Sequence, residues 1–295
     1  MLYHYTTIPA FESILKDAAT RGQMCFWATR YDCFVDKKEF KLGVETIRRL
    51  LPEVEKDMPA DRRIAPMFDW NEIKDNINLP YPYVVSFSSQ PDNDYMWHEY
   101  AKEDGVVLEI DDTVSVEVPD APLLRLASCL YVDANSDDKL TEMLRQEYTE
   151  VCYRFLGGPH KEQAFTWLKD CPLFFLKLIA LGLIFVTAPR IKNAKDYWME
   201  EETRAIIPIP VPCYNTLIEE YDEAISKFGL NPTELRTLVD NECSRRRDDG
   251  STVFYREMRL PIHLLKSIYV RKEATREEVV RFIAESELNT SVRSI

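Results

Sequence analysis

The sequence predicts an α+β fold, in which strands and helices are grouped along the chain and do not alternate one by one. Short segments rich in Val, Ile and aromatic residues recur toward both ends, and two long helices are predicted between them. Such grouping argues against a doubly wound parallel sheet. No Pro-, Gly- or Ser-rich linker divides the chain. We therefore predict a single α+β domain over residues 1–295, with a mixed or antiparallel sheet and a helical insertion at about 135–187.

The individual elements are predicted from periodicity and turn signals. Strands are predicted at Leu2–Thr6, Met24–Thr29, Tyr83–Phe87, Gly105–Ile110, Leu124–Val132, Thr203–Ile209, Thr252–Arg256 and Ser267–Arg271. Helices are predicted at Ile8–Ala18, Lys37–Leu51, Asp137–Leu156, Lys161–Val186, Thr216–Phe228, Thr233–Arg246 and Arg276–Leu288. Gly157-Gly158-Pro159 separates the two helices of the insertion. Because Leu173–Val186 has no polar stripe, we expect this run to be buried on most sides.

Composition limits the classes of partner. Hydrophobic residues make up 45% and charged residues 29% of the chain, which is typical of a folded globular protein. The formal net charge of −13 would repel a nucleic-acid backbone, so a protein or small-molecule partner is favoured. With only eight glycines, the chain contains no Gly-rich nucleotide-binding motif.

The sequence also indicates a cytoplasmic location. The N-terminal residues lack the basic and apolar regions of a secretory signal. The seven cysteines are scattered and include no C-x-x-C pair, which favours a reducing compartment. The longest apolar run has the length of a core helix and is interrupted by Lys177, so we expect no membrane span. The isolated histidines predict no metal site.

His4 lies in an apolar predicted strand, where it shares a face with Thr6 while Tyr3 and Tyr5 share the other. It is either a core histidine with one hydrogen-bond partner or a functional side chain. Ser86 and Ser88 lie at a strand end, and they also have either a structural or a functional role. They form either a local turn that satisfies backbone groups or part of a site.

Two further groups are candidates. Trp97 and Tyr100 lie in a predicted short helix, where a spacing of three places them on one face as core, lid or ligand platform. The densest polar cluster precedes the strand Thr203–Ile209. Its members are Lys192, Lys195, Trp198, Glu200, Glu201, Glu202 and Arg204.

The alternation of side-chain directions along a strand suggests how the carboxylates of Glu200 and Glu202 could be brought together. If the strand begins at Glu200, then Glu200, Glu202 and Arg204 project from one face and Glu201 from the other. Two carboxylates on one face repel unless a cation or a substrate hydroxyl resolves the repulsion, and their pKa values can then be perturbed. The cluster is therefore either a functional site or an exposed helix-to-strand junction with Arg204 as structural partner.

Taken in order, several short motifs resemble a bacterial domain family of unknown function. The motifs are Leu2-Tyr3-His4-Tyr5-Thr6, Val85-Ser86-Phe87-Ser88, Trp97 with Tyr100, Trp198 before Glu200-x-Glu202-x-Arg204, and the closing stretch from Leu260-Pro261 to Ile268-Tyr269-Val270. The resemblance covers nearly the whole chain. It rests on the order of the motifs, since no single one is specific.

That family is similar to the ADP-ribosyltransferase fold, in which an early strand offers His or Arg, a middle strand Ser-x-Ser or an aromatic, and a late strand begins with Glu-x-Glu. The resemblance implies NAD as substrate and no metal. Glu202 would be the catalytic acid, Glu200 would position the acceptor, and His4 would contact a ribose. The residues implied in NAD binding are His4, Tyr5, Thr6, Ser86, Ser88, Trp97, Tyr100 and Arg204. Tyr5 stands where the His-first branch of the fold commonly has the glycine of His-Gly-Thr.

Two functional hypotheses follow. The first is an NAD-consuming transferase or glycohydrolase, acting as a bacterial toxin or phage-defence effector by association with the family. The second is a non-catalytic binding or regulatory protein on the same fold, with a protein partner. The first requires His4, Ser86 or Ser88, and Glu202 to converge on one cleft. Glu202 across the sheet from His4 would contradict it.

Overall fold

A computed structural model describes residues 1–34, 36, 38–60, 63–67, 82–115, 125–133, 136–157, 172–207, 242–247 and 249–295. The strands are β1 (Leu2–Thr6), β2 (Gln23–Arg30), β3 (Tyr83–Ser88), β4 (Val106–Ile110), β5 (Arg125–Ser128), β6 (Leu130–Val132), β7 (Ile191–Asn193), β8 (Glu202–Ile207), β9 (Cys243–Arg246), β10 (Thr252–Pro261), β11 (Leu265–Val270) and β12 (Ser291–Ser294). The helices are α1 (Ile8–Leu15), α2 (Ala18–Arg21), α3 (Lys38–Val54), α4 (Asp94–Met96), α5 (Asp137–Gly157), α6 (Pro172–Thr187), α7 (Ala194–Tyr197) and α8 (Glu273–Glu285).

The main sheet is mixed and branches at β3. One edge of β3 pairs along its length with β8, which also pairs with β5. The other edge pairs with β1 at Ser88 and with β2 at Tyr83 and Val84. From β1 the sheet continues through β4 and β11 to β12, and from β2 through β10 to β9. The β11–β12 pairing is parallel, and the other ladders of this sheet are antiparallel. The α+β class with a mixed sheet is thereby confirmed.

The register of β1, β3 and β8 fixes which side chains share a face. Ser86 is paired with Arg204, Ser88 with Glu202, and Tyr3 with Ser88. Directly paired residues in antiparallel strands project from the same side. We call this side the site face. The alternate residues, among them those beside Ser86 and Ser88, project from the opposite face.

Each face has its own apolar core. The opposite face packs against α1 and α8, through side chains such as Phe11 and Val279. The site face is covered by α3, α5 and α6 near β8, and by α4 with the π-helical turn Trp97–Ala101 near β1. The two faces therefore have separate environments, and a side chain's face decides what it can contact.

Two helices, α5 and α6, lie within the segment predicted to be helical. α5 and α6 pack on one another and on α3. The apolar run of α6 is buried at Leu176, Ile179, Ala180 and throughout Leu183–Val186, which confirms the expected burial for the side chains described. None of the helices in the described ranges combines the length and the apolar character needed to cross a bilayer.

Some predicted elements need correction. The predicted strand Leu124–Val132 is two strands, because β5 pairs with β8 in the main sheet while β6 pairs with β7 in a separate ladder. The end of the predicted helix Thr233–Arg246 is instead β9, which is extended because it pairs with β10. The rest of that helix, the predicted helix Thr216–Phe228 and the first part of Lys161–Val186 lie outside the described residues.

Candidate functional site: a buried ion network

Four members of the polar cluster predicted before β8 are buried, namely Lys192, Glu200, Glu202 and Arg204, and Glu39 of α3 joins them. Lys192 of β7 is 3% exposed. Its ammonium nitrogen lies 2.7 Å from Oε2 of Glu202, 3.1 Å from Oε1 of Glu39, and in contact with Oε2 of Glu200. One cation thus serves three carboxylates. Of the two alternatives drawn from the sequence, the exposed junction does not describe these four residues, because α3 covers them.

Arg204 supplies the second cation and completes the hydrogen bonding. Its Nε donates to Oε1 of Glu202 at 2.8 Å, and its Nη2 donates to Oε2 of Glu39 at 3.0 Å. Its Nη1 donates to the hydroxyl of Tyr31 at 3.0 Å and to the carbonyl of Pro189. The Tyr31 hydroxyl in turn donates to Glu39. Buried charges are tolerated when they are paired and hydrogen-bonded in this way.

Sequence reasoning missed Glu39 and Tyr31, although a signal existed for Glu39. In α3, Glu39 lies four residues before Gly43 and eight before Ile47, and both of those are buried. A charged residue at this spacing on an apolar helix face indicates a buried ionic partner. For Tyr31 the sequence offers no such pattern, because it lies in the short turn Tyr31–Cys33 after β2.

Gly43 allows α3 to approach the network closely. A Cβ atom at this position would lie 2.3 Å from the carbonyl oxygen of Ala188. The turn Ala188–Arg190 leads directly into β7 and carries the Pro189 carbonyl that accepts from Arg204. The missing side chain therefore places Glu39 within reach of Lys192.

Glu200 and Glu202 reach the same cation by a route that differs from the prediction. β8 begins at Glu202, and Trp198–Glu200 is a 3-10 turn. Glu201 adopts a left-handed conformation, with φ 43° and ψ 48°. It therefore interrupts the strand-like alternation of side-chain directions that was expected from Glu200 to Glu202. Its carboxylate accepts from Ser89 Oγ and Gln90 Nε2, both at 3.0 Å. The prediction that Glu202 and Arg204 share a face is confirmed.

The two carboxylates have opposite pKa shifts. Burial raises the pKa of Glu200, the nearby Lys192 lowers it, and repulsion from Glu202 raises it again, with a net increase. Burial alone would raise the pKa of Glu202 as well. Arg204 and Lys192 overcome that effect and hold the pKa of Glu202 well below its ordinary value. The two cations therefore favour the ionised form of Glu202 more than that of Glu200.

Tyr100 connects the network to the surface. Its hydroxyl donates to Oε1 of Glu200 at 2.8 Å, while the residue as a whole is 45% exposed. Burial of the hydroxyl, followed by the charge of Glu200, raises the pKa of Tyr100. The helical spacing predicted that Trp97 and Tyr100 share a face, and this prediction is wrong. The π-helical turn separates them, and Trp97 packs in the core against Tyr5 and beneath the Arg271 guanidinium.

His4 lies across the sheet from Glu202, so the predicted convergence on one cleft is wrong. The His4 ring packs edge-to-face on Phe26 and Phe87, with centroids at 5.1 and 5.6 Å, on the opposite face. Its Nδ1 is 3.0 Å from the backbone carbonyl of Ser86. Burial lowers the pKa of His4, and that carbonyl partly counteracts the effect. His4 is thus a core histidine with one hydrogen-bond partner. The physical reason is the strand period, since Tyr3 and Tyr5 occupy the site face.

The other residues implied in NAD binding have structural contacts. Ser88 Oγ donates to the carbonyl of Glu200 at 3.0 Å and accepts from the Gln90 backbone N–H. Ser86 projects beside Arg204 on the site face. The hydroxyl of Tyr5 donates to the Gln90 carbonyl at 2.7 Å. Thr6 is buried on the opposite face, beyond His4 in β1.

The chain matches no protein-family model, no curated protein and no solved structure. Among the described residues, no His, Cys, Asp and Glu side chains are grouped in a way that would hold a metal ion.

Proposed function

We propose that this chain is a non-catalytic binding or regulatory protein with a protein partner, which is the second hypothesis drawn from the sequence. One observation carries the proposal: Glu202 is buried and has both carboxylate oxygens bound, one by Arg204 and the other by Lys192. A catalytic carboxylate must reach a substrate, and these contacts leave Glu202 no free face toward one. The position of His4 supports the same conclusion.

The ion network has a structural role that explains why its charged side chains are buried despite the free-energy cost of removing them from water. It ties α3, β7 and β8 together through Glu39, Lys192 and Arg204. Removing one partner of a buried ion pair leaves an uncompensated charge, which is costly, so the network specifies one arrangement of these elements. Holding these elements in place accounts for the contacts of Glu200, Glu202 and Arg204 without catalysis.

A second candidate is an NAD-consuming enzyme that uses Glu200 in place of Glu202. The observation in its favour is that Glu200, unlike Glu202, is bonded to the half-exposed Tyr100, and its raised pKa beside the lowered pKa of Glu202 is a pattern in which carboxylates divide acid and base roles. In this reaction the bond from C1′ of the ribose to the nicotinamide nitrogen breaks. Nicotinamide leaves as a neutral molecule with the electron pair of that bond, water or an acceptor hydroxyl attacks C1′, and the proton of the attacking group is released to solvent. Glu200 would hydrogen-bond a ribose hydroxyl once Tyr100 moved aside.

One experiment separates the two candidates. The purified chain is incubated with NAD, with and without added protein acceptors, and released nicotinamide is measured beside the melting temperature. The binding protein should release no nicotinamide above the blank, and Glu202→Gln and Glu200→Gln should alter only stability. Turnover that disappears in Glu200→Gln while the fold is retained would overturn the proposal in favour of the enzyme.

A further inference from the structure

An exposed aromatic surface lies directly outside the ion network. Trp198 is 59% exposed, Tyr100 45% and Met199 39%. Tyr100 contacts Glu200, and Trp198 and Met199 immediately precede Glu200 in the chain. We call these three residues the Trp198 surface. Trp, Tyr and Met are the side chains enriched at the centres of protein interfaces.

The backbone at Met199 and the hydroxyl of Tyr100 are anchored, although the side chains of this surface are exposed. The Met199 carbonyl accepts from Asn93 Nδ2 at 2.6 Å. Asn93 is itself fixed, because its backbone N–H donates to the Tyr5 hydroxyl at 3.0 Å and its side chain caps α4 at Met96. The Tyr100 hydroxyl is anchored on Glu200. A preorganised surface loses little conformational entropy when a partner binds.

The surroundings of the Trp198 surface are acidic. Along the chain, exposed Glu99 and Glu201 directly adjoin Tyr100 and Glu200, and exposed Asp196 lies two residues before Trp198. Lys195 and His98 are the exposed bases of these stretches, and His98 lies 3.7 Å from Glu99. The chain as a whole carries a formal charge of −13. A phosphate-bearing partner would be repelled here, whereas a cation would be attracted.

Aromatic faces beside carboxylates are the chemistry that recognises a guanidinium group. Arginine stacks on Trp and Tyr rings, and its planar fork donates to carboxylates in pairs. Lysine offers a point charge that is more strongly hydrated and does not stack in this way. We infer that the Trp198 surface binds an arginine side chain from a basic segment of a protein partner. This inference rests on the proposed binding function.

The test uses the full chain and a fluorescent peptide of alternating arginine and glycine residues, with anisotropy as the readout. Matched peptides replace arginine by lysine or by glutamate. We expect the arginine peptide to bind at least about fivefold more tightly than the lysine peptide, and the glutamate peptide not to bind. Trp198→Ala should weaken the arginine peptide about tenfold or more.

Trp27→Ala is the matched control, because Trp27 is also exposed, at 37%, but stacks on Tyr255 in β10. It should leave binding unchanged. Glu99→Gln should lower affinity and reduce its dependence on salt. Circular dichroism confirms that each variant is folded. Equal affinity for the arginine and lysine peptides, or equal losses in Trp198→Ala and Trp27→Ala, would refute the assignment.

Failure of this assignment is distinguishable from failure of the proposed function. If no peptide binds and no nicotinamide is released from NAD, the Trp198 surface is the wrong site while a binding function stands. If nicotinamide is released, the proposed function is wrong, whether or not the peptides bind.

Discussion

The ammonium group of Lys192 lies 2.7 Å from the carboxylate of Glu202, with both side chains 3% exposed. Because the same ammonium also binds Glu39 and Glu200, Lys192 is the shared partner of three acids on two separate segments of the chain. The pKa of Lys192 reflects these three contacts. Burial lowers the pKa of Lys192, yet Glu202, Glu39 and Glu200 together raise it well above the ordinary value.

The Lys192→Met variant should be strongly destabilised. Methionine keeps most of the volume but leaves three buried carboxylates with Arg204 as their nearest cation, so we expect a loss of about 3–5 kcal/mol in the free energy of unfolding. Urea denaturation measures the loss. Lys195→Met, at an exposed position three residues away, is the control and should change stability by less than about 0.5 kcal/mol. Similar values for both variants would show that the network contributes nothing.

Glu202→Gln and Glu200→Gln should differ in stability at neutral pH. Glu202 is ionised and paired with two cations, so its neutralisation should cost about 2–4 kcal/mol. Glu200 has a raised pKa, because its ionised form is disfavoured by burial and by Glu202. Its neutralisation should therefore cost less, or even stabilise. Denaturation of both variants in parallel checks this order, and a larger loss in Glu200→Gln would contradict it.

The contribution of Glu202 should depend on pH. A carboxylate whose folded pKa is depressed stabilises the protein above its unfolded pKa of about 4.3, and that contribution is lost as pH falls toward the folded pKa. The stability gap between the wild type and Glu202→Gln should thus be full at neutral pH and narrow below about pH 4. Urea denaturation across this range measures the gap. A gap that is constant with pH would mean that the pKa of Glu202 is the same in the folded and unfolded states.

A matched pair of variants at Glu201 isolates the backbone strain. Glu201→Ala and Glu201→Gly both lose the carboxylate that binds Ser89 and Gln90. Only glycine adopts φ 43° without cost, so Glu201→Gly should be more stable than Glu201→Ala by about 1 kcal/mol. Thermal or urea denaturation is sufficient to measure the difference. The reverse order would show that the left-handed conformation is absent in solution.

Gly43→Ala tests the close approach of α3. In an exposed helix alanine would stabilise, but here its methyl group would collide with the backbone of Ala188. We expect a destabilisation of about 1–3 kcal/mol. Lys41→Ala, on the exposed side of the same helix, should be nearly neutral. A stabilised Gly43→Ala protein would indicate that α3 and the turn Ala188–Arg190 do not pack as described.

The sequence by itself determined most of the local structure and the fold class. β1 was predicted with its exact bounds, and α3, β3, β4, β11 and the insertion helix α5 were each predicted within a few residues. These elements carry strong periodicity or clusters of β-branched and aromatic residues, which act over a few positions along the chain. The alternation in β8 likewise predicted that Glu202 and Arg204 share a face.

The tertiary structure decided which of these residues meet. The strand period alone separates His4 from Tyr3 and Tyr5, but only the pairing of β1 with β3 at Tyr3 and Ser88 shows which set faces Glu202. Glu39 is more than 150 positions from Lys192 in the chain, and its contact depends on how α3 packs over β7 and β8. Such contacts depend on how distant segments pack and become buried. Local sequence patterns do not predict that packing. That is why the sequence located the polar cluster, whereas only the fold showed that four of its members form a buried ion network with Glu39.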